Sequence, residues 1–597
     1  MILTQIYDSD TNFKISNFNS SYMKKINNFV IGRNDFRSQS DVIMKKSASS
    51  YGLLPRHGAG LVFAIIFWWL QANITDAAEP YAAGPSAAGT EVQADGTVRE
   101  ILSSAALENT VTGILAVSAS GDTILAYNCD KNMVPASNLK LVTTGAALHF
   151  LGSGYRFRTE LACRGDIRDG VLHGDLIIKG GGDPTLAADD AIALPAETVF
   201  RQWKGYVAKA GIRRIEGCII GDSRYFDNIA EEETWLWNDI GTYYGTGTSG
   251  LSFYENKKDF LVEPGENEGD PVNVIPGFPE TPWMTLSFPC TTGAAGTGNK
   301  LYYYTTAFAP YGEMRGTFAA DRGRHTEEVS NKFPAYTCAW HFAEYLKSYG
   351  IICSEGPADT GERTGAWATE GNGDPIPDKG SNPASLGETF SPELKRIVSV
   401  TNRESNNFYA ETIFKTLGKE YCGKGSYAGG RAAVKGILSE MGVPSGKVKI
   451  QDGSGLSRQN YVSPSFLCNF LLAMLDSPAS EDFIKSLPSP GESGTLSHVM
   501  KKYPSSLKAR IRMKSGSMDG TLCYSGYILP ESSDGRMGKS PDTDRSGVIV
   551  FSIMTNNSTS SAYRVRLALE KAIAYIASRD AGCRQATASR KGSGTGR

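Results

Sequence analysis

The sequence predicts an α+β protein in which one antiparallel sheet, flanked by helices, takes its strands from both ends of the chain. Three observations predict it. Alternation on either side of Ser120-Gly121-Asp122 in GILAVSASGDTILAYN, residues 113 to 128, is the pattern of a strand hairpin. Two apolar runs near the other end, TLCYSGYIL at 521 to 529 and VIVFSIMT at 548 to 555, read as further strands. Stretches of helical periodicity stand between them, and a sheet needs such helices on its faces to become a core.

Taken in order, the hairpin is followed by Pro135-Ala136-Ser137, which opens a helix with Leu139, Val142, Ala146 and Phe150 on one face and Gly152 as its stop. Ser137 then falls in the first turn, and Lys140, three residues on, shares its face. Residues 158 to 389 change in texture. They carry the turn Gly180-Gly181-Gly182-Asp183-Pro184, a helical stretch near Glu197 to Ala210 and an aromatic strand, LYYYTTAF, at 301 to 308. This reads as inserted α+β material of one or two smaller domains, with Gly/Pro-rich loops or linkers at 264 to 281 and 362 to 388. The interrupted domain is expected to comprise residues 79 to 157 and 390 to 580.

Helical periodicity returns after residue 390. Ala410, Ile413, Phe414 and Leu417 line one helix beginning close to Ser405, and Val434, Ile437, Leu438 and Met441 line a second that ends at Gly442. A third starts at Pro464 and carries Phe466, Phe470, Leu471 and Met474. The last helix has Val565, Leu569, Ile573 and Ile576 on one face; residues 581 to 597 read as a disordered basic tail.

At 597 residues the chain exceeds one ordinary core, so two or three domains are expected. A formal charge of -2 without long runs leaves no electrostatic footprint for nucleic acid. The apolar run Gly60 to Leu70 is too short to span a bilayer but fits the central region of an export signal, with Lys45, Lys46 and Arg56 before it and small residues around Ala72 and Ala77 after it. Met44 is the start this layout suggests; a membrane-anchoring or buried helix is the alternative. Ten cysteines at wide spacing permit disulfides without specifying them, and neither they nor the six histidines have the spacing of a metal site.

Three clusters carry chemistry: Ser137-Asn138-Leu139-Lys140, Ser405-Asn406-Asn407 and Lys514-Ser515-Gly516-Ser517. Singly each reads as a helix start, a cap or a turn, and Ser-x-x-Lys recurs at Ser21 and Ser505. Together they supply a serine acyl-transfer site that needs no histidine. Lys140 is the nearest base for the Ser137 hydroxyl, but neutralising an ordinary lysine at pH 7 costs about 4.6 kcal/mol. Burial, and a second cation such as Lys514, are the expected means of lowering that cost. Ser405 can relay a proton between Lys140 and the leaving amine, and the Asn407 amide can hold a substrate carbonyl. Lys514 and Ser515 suit a terminal carboxylate, Gly516 permits close approach, and the Ser137 and Ser517 N-H groups suit an oxyanion.

With Asp452-Gly453-Ser454-Gly455-Leu456-Ser457-Arg458, the stretch from Ser486-Leu487-Pro488 to Gly494-Thr495-Leu496, and Gly182-Asp183-Pro184-Thr185-Leu186, these clusters resemble the penicillin-binding protein 4 type of D-alanyl-D-alanine carboxypeptidase/endopeptidase, from about residue 100 to 580. The resemblance implies a penicillin-recognising, transpeptidase-like domain split by an insertion. It implies cleavage of D-alanyl-D-alanine ends or peptide cross-links of peptidoglycan through an acyl-enzyme on Ser137, with β-lactams as covalent inhibitors, no cofactor, and export to the periplasm or cell envelope. By the same resemblance, Asp239 and Arg458 would read the zwitterionic end of a diaminopimelate side chain. Two departures are Ser515, where the family usually has threonine, and Asn406, in a slot often taken by aspartate. Asp519, just past the third cluster, places an acid near the mouth. A β-lactamase and a non-catalytic peptidoglycan-binding scaffold are the alternatives on the same fold.

Overall fold

The structure is a computed structural model that describes residues 96–360, 383–492, 494–531, 545 and 547–592, with side chains as far as Arg579. The expected export signal and the Met44 start lie outside the described residues. No described helix is long and apolar enough to cross a membrane.

A five-stranded sheet runs in the order Ile511–Met518, Thr521–Ile528, Ile549–Asn556, Val111–Ser118, Thr123–Tyr127, and every neighbouring pair is antiparallel. Strands from the two ends of the chain meet where Val111 pairs with Asn556 and Ser118 with Ile549. Both faces are covered, so the central strand Ile549–Asn556 is buried at every position. Alternation sorts its side chains: Val550 and Met554 join one core, Ile549, Phe551 and Ile553 the other.

The first core is closed by helices Lys140–Leu151, Asn407–Cys422, Tyr427–Glu440 and Pro464–Leu475. The second is closed by Gly96–Leu102 and the long helix Ala562–Gly592. The positions expected on the helix after Ser405, Ala410, Ile413, Phe414 and Leu417, are all fully buried. Phe150 departs from its expected face: it is 37% exposed and lies edge-on to Tyr421. The last helix runs on to Gly592 through the segment read as a disordered tail, because alanine, arginine and glutamine there keep a high helix propensity.

Between residues 158 and 390 the chain builds separate sheets with cores of their own. A seven-stranded sheet containing Arg158–Arg168, Val171–Lys179 and Ala384–Phe390 packs on helices Ala196–Lys209 and Pro334–Ser348 around Trp203. Two smaller sheets, one of four strands and one of three, enclose Phe260, Met314 and Phe318. The strand Asn273–Pro276 lies inside one segment expected to be a loop and Ala384–Phe390 begins inside the other; each pairs with a neighbouring strand, so ladder hydrogen bonds hold what their weak apolar pattern does not announce.

Candidate active site

Ser137 stands in a single 3-10 turn, Ala136–Leu139, and the α-helix begins only at Lys140. This corrects the expectation of an α-helical first turn. It also sharpens the pairing, since side chains three apart eclipse in a 3-10 helix. Lys140 Nζ lies 3.0 Å from Ser137 Oγ. The turn is held to the sheet by Asn138, whose amide donates to Ser525 Oγ at 2.8 Å. Ala136 enters it with φ of 47°, a left-handed conformation that costs of order 1–3 kcal/mol at a non-glycine residue.

Lys140 is fully buried, and its amine also reaches Asn407 Oδ1 at 2.6 Å and the Ser454 carbonyl at 2.9 Å. Both of those oxygens only accept. A neutral amine has two N-H bonds and one lone pair, so satisfying both acceptors leaves the lone pair for the Ser137 hydroxyl. Burial lowers the Lys140 pKa from 10.5 to about 7, while the nearby carboxyls of Glu411 and Asp452 pull the other way. Lys514 is itself fully buried and is pushed well below the ordinary lysine range, first by burial and then by Lys140.

The Ser454 carbonyl is aimed by a network of buried carboxyls. Glu411 accepts from the N-H groups of Gly453 at 2.9 Å and Ser454 at 2.7 Å. Asp452 accepts from the N-H groups of Gly455 and Ser457, from Asn460 Nδ2 and from Trp235 Nε1. Burial and the neighbouring Asp452 push Glu411 up to about 8. Glu411 has no motif to announce it. Its one trace in the sequence is an acid next to Ala410 in a helix whose apolar positions are Ala410, Ile413, Phe414 and Leu417.

Ser405 follows the helix Leu394–Arg403 with φ of 61°, turning the chain sharply into the next helix. Its hydroxyl accepts from Lys514 Nζ at 2.9 Å, so the cation it meets is Lys514, whereas Asn407 is the member of this cluster that meets Lys140. One Asn407 N-H is committed to the Tyr244 carbonyl of the insertion at 3.0 Å, which leaves its second hydrogen for a substrate carbonyl. Asn406 caps the helix by accepting from Tyr409 N at 2.9 Å and donates to Glu255 Oε2 at 2.7 Å. Aspartate could cap but could not donate.

The third cluster lies on the edge strand Ile511–Met518, with Lys514 opposite Ser525 and Ser515 opposite Tyr524. Lys514 also donates to the Ser515 carbonyl at 2.7 Å, and Ser515 Oγ donates to Thr495 Oγ1 at 3.0 Å. A Cβ at Gly516 would come within 2.5 Å of the Pro135 carbonyl and 2.8 Å of Asn138 N, so glycine is what lets this strand reach the nucleophile turn.

The three clusters converge on a cleft of about 640 Å³ lined by Ser137, Ser405, Asn407 and Ser517. Asp239, Arg458 and Asp519 line it as well. Asp239 is half-buried and accepts from Tyr244 Oη at 3.3 Å. Burial raises its pKa, and Arg458 is near enough to oppose that rise. No disulfide links the nine described cysteines.

Residues 94–579 match the model of the D-Ala-D-Ala carboxypeptidase 3 (S13) family. The D-alanyl-D-alanine carboxypeptidase of Actinomadura sp. (strain R39) is 30% identical over 504 residues, covering 81% of this chain and 84% of the relative. The D-alanyl-D-alanine carboxypeptidase DacB of Haemophilus influenzae is 24% identical over 436 residues, 70% of this chain and 83% of the relative. Among solved structures, penicillin binding protein 4 from Haemophilus influenzae superposes with a TM-score of 0.65 at 20% identity, over 81% of this chain and 98% of that one. At that identity the likeness is one of fold.

Proposed function

The chain belongs to the D-Ala-D-Ala carboxypeptidase 3 (S13) family, and from that premise we propose how its residues divide the work of a serine D-alanyl-D-alanine carboxypeptidase. The lone pair of neutral Lys140 takes the Ser137 proton as Oγ attacks the penultimate D-alanine carbonyl. The oxyanion rests on the N-H groups of Ser137 and Ser517. Ser405 gives its hydroxyl proton to the leaving amine and is replenished by Lys514, terminal D-alanine departs, and water hydrolyses the ester on Ser137, its proton returning through Ser405 to Lys514 as Lys140 gives its own back to Ser137.

The terminal carboxylate sits at Ser515, Gly516 and Ser517 beside Lys514. Its negative charge favours protonated Lys514, and that cation in turn keeps Lys140 neutral. Substrate arrival thereby sets the charge pattern the attack requires. On the acyl side, Asp239 and Arg458 offer an acid and a base to an ammonium and a carboxylate on one carbon, which suits a diaminopimelate side chain. Peptidoglycan stem peptides and their cross-links are the substrates of this reading, β-lactams its covalent inhibitors, and the periplasm or cell envelope its place of action.

The observation that carries the proposal is the single buried amine bridging Ser137 Oγ and Asn407 Oδ1. Labelling with a fluorescent penicillin, alongside Ser137→Ala, tests it. Stable label that the variant loses supports the peptidase. Rapid release of label favours a β-lactamase, and absence of label favours a non-catalytic scaffold.

A further inference from the structure

The chain from residue 223 to 253 is irregular apart from a 3-10 turn, Tyr243–Gly245, yet it carries backbone that the site depends on. Irregular chain has no ladder to fix its carbonyls, so side chains must supply the donors. Lys332, just past the strand His325–Ser330, is one of them, with a fully buried side chain that does not line the catalytic cleft. Its amine donates to the Ile240 carbonyl at 2.7 Å and to the Gly245 carbonyl at 3.4 Å, and lies 2.7 Å from Glu231 Oε1. Burial lowers its pKa from the ordinary lysine value, and the Glu231 carboxylate opposes that fall.

The turn that Lys332 grips is one unit. Thr242 N donates to the Asp239 carbonyl at 3.0 Å and Gly245 N to the Thr242 carbonyl at 3.1 Å, which links residues 239 to 245 into successive turns. The strand before Lys332 touches the same unit, with Ser330 N donating to the Gly241 carbonyl at 3.0 Å and Val329 bridged to Thr242. Of two successive carbonyls, that of Gly245 meets Lys332 and that of Tyr244 meets Asn407 Nδ2 at 3.0 Å. Asn407 Oδ1 in turn accepts from the Lys140 amine. An amide side chain rotates readily about its last torsion, so what selects one orientation of Asn407 is the pair of contacts at its two ends. Lys332 stands behind one of them.

We propose that Lys332 is a positioning residue for acylation: by holding the Ile240 and Gly245 carbonyls it fixes the Tyr244 carbonyl between them, and through it the Asn407 amide that Lys140 and the substrate share. It touches no reacting atom. Its loss removes the donor common to two carbonyls and Glu231, the turn relaxes, and Asn407 turns away from Lys140. This rests on the carboxypeptidase reading above.

The test measures how fast a fluorescent penicillin acylates the intact chain and its Lys332→Met, Lys332→Gln and Asn407→Ala variants, and each Lys332 variant combined with Asn407→Ala. Rates are taken per chain labelled at completion, so that misfolded chains do not count. The proposal expects Lys332→Met to acylate about 10- to 100-fold more slowly than the wild type, with Lys332→Gln, which keeps a shorter donor, in between. In the Asn407→Ala background the same substitutions should change the rate less than about twofold, since the group they act through is gone. Equal slowing in both backgrounds overturns the proposal. A wild-type rate in the chains that do take label also overturns it, since the lysine would then serve the fold alone. Where Lys332→Met takes no label, Lys332→Gln decides by the same comparison. A wild type that takes no label overturns the carboxypeptidase reading and this proposal with it.

Discussion

The chemistry turns on how one ammonium is made uncomfortable. Taking Lys140 from 10.5 to about 7 removes roughly 5 kcal/mol from its charged form, and burial supplies that against two carboxyls that oppose it. Glu411 is one of them, but pushed up to about 8 it is mostly protonated where Lys140 titrates, so Glu411→Gln is expected to move the inflection of acylation only slightly, to lower pH. Glutamine also has one oxygen where two N-H groups need acceptors, and a loss of about 1–3 kcal/mol in urea denaturation should accompany the shift. Asn406 gives a second check at this scale. In Asn406→Asp a carboxylate would face Glu255, whose own pKa is already raised by burial, and acylation should fall about 10-fold. Adding Glu255→Gln restores a donor to the pair and should recover most of the rate. The serines, lysines and Asn407 were legible because reactive groups recur in fixed short clusters. Glu411 and Glu255 were not, since a lone acid far from any motif takes its meaning only from what folding places beside it.

At the scale of elements, the site depends on a strand edge and a 3-10 turn touching backbone to backbone. Gly516→Ala would put a methyl group within 2.5 Å of the Pro135 carbonyl. The strand or the nucleophile turn must then move, and a displacement near 1 Å can cost about 100-fold in rate. Acylation by a β-lactam should fall by that order while the thermal midpoint changes little. The hairpin, the late strands and the helices after residue 390 could be read from periodicity because both faces of the sheet impose it. The 3-10 turn at Ser137 could not, for helix patterning does not separate 3-10 from α geometry over four residues. The strands Asn273–Pro276 and Ala384–Phe390 were hidden by their Gly/Pro-rich surroundings, where pairing with a neighbour replaces an apolar pattern.

For the whole molecule, the stretch between residues 158 and 390 supplies parts of the site. The Tyr244 carbonyl holds Asn407, Glu255 holds Asn406, and Trp235 holds Asp452. Trp235→Phe keeps an aromatic ring but deletes part of the buried indole and its one hydrogen bond to Asp452, so it should cost about 1–3 kcal/mol in stability or more and slow acylation with it. Such ties join residues more than 150 positions apart, which no local pattern encodes. The central claim is that a buried, neutral Lys140 activates Ser137. The rate of β-lactam acylation of Ser137 as a function of pH tests it most directly. A rise with pH through an inflection near 7, abolished in Lys140→Met, is the predicted result. An inflection in the ordinary lysine range near 10.4, or a Lys140→Met variant that acylates at the wild-type rate, would contradict it.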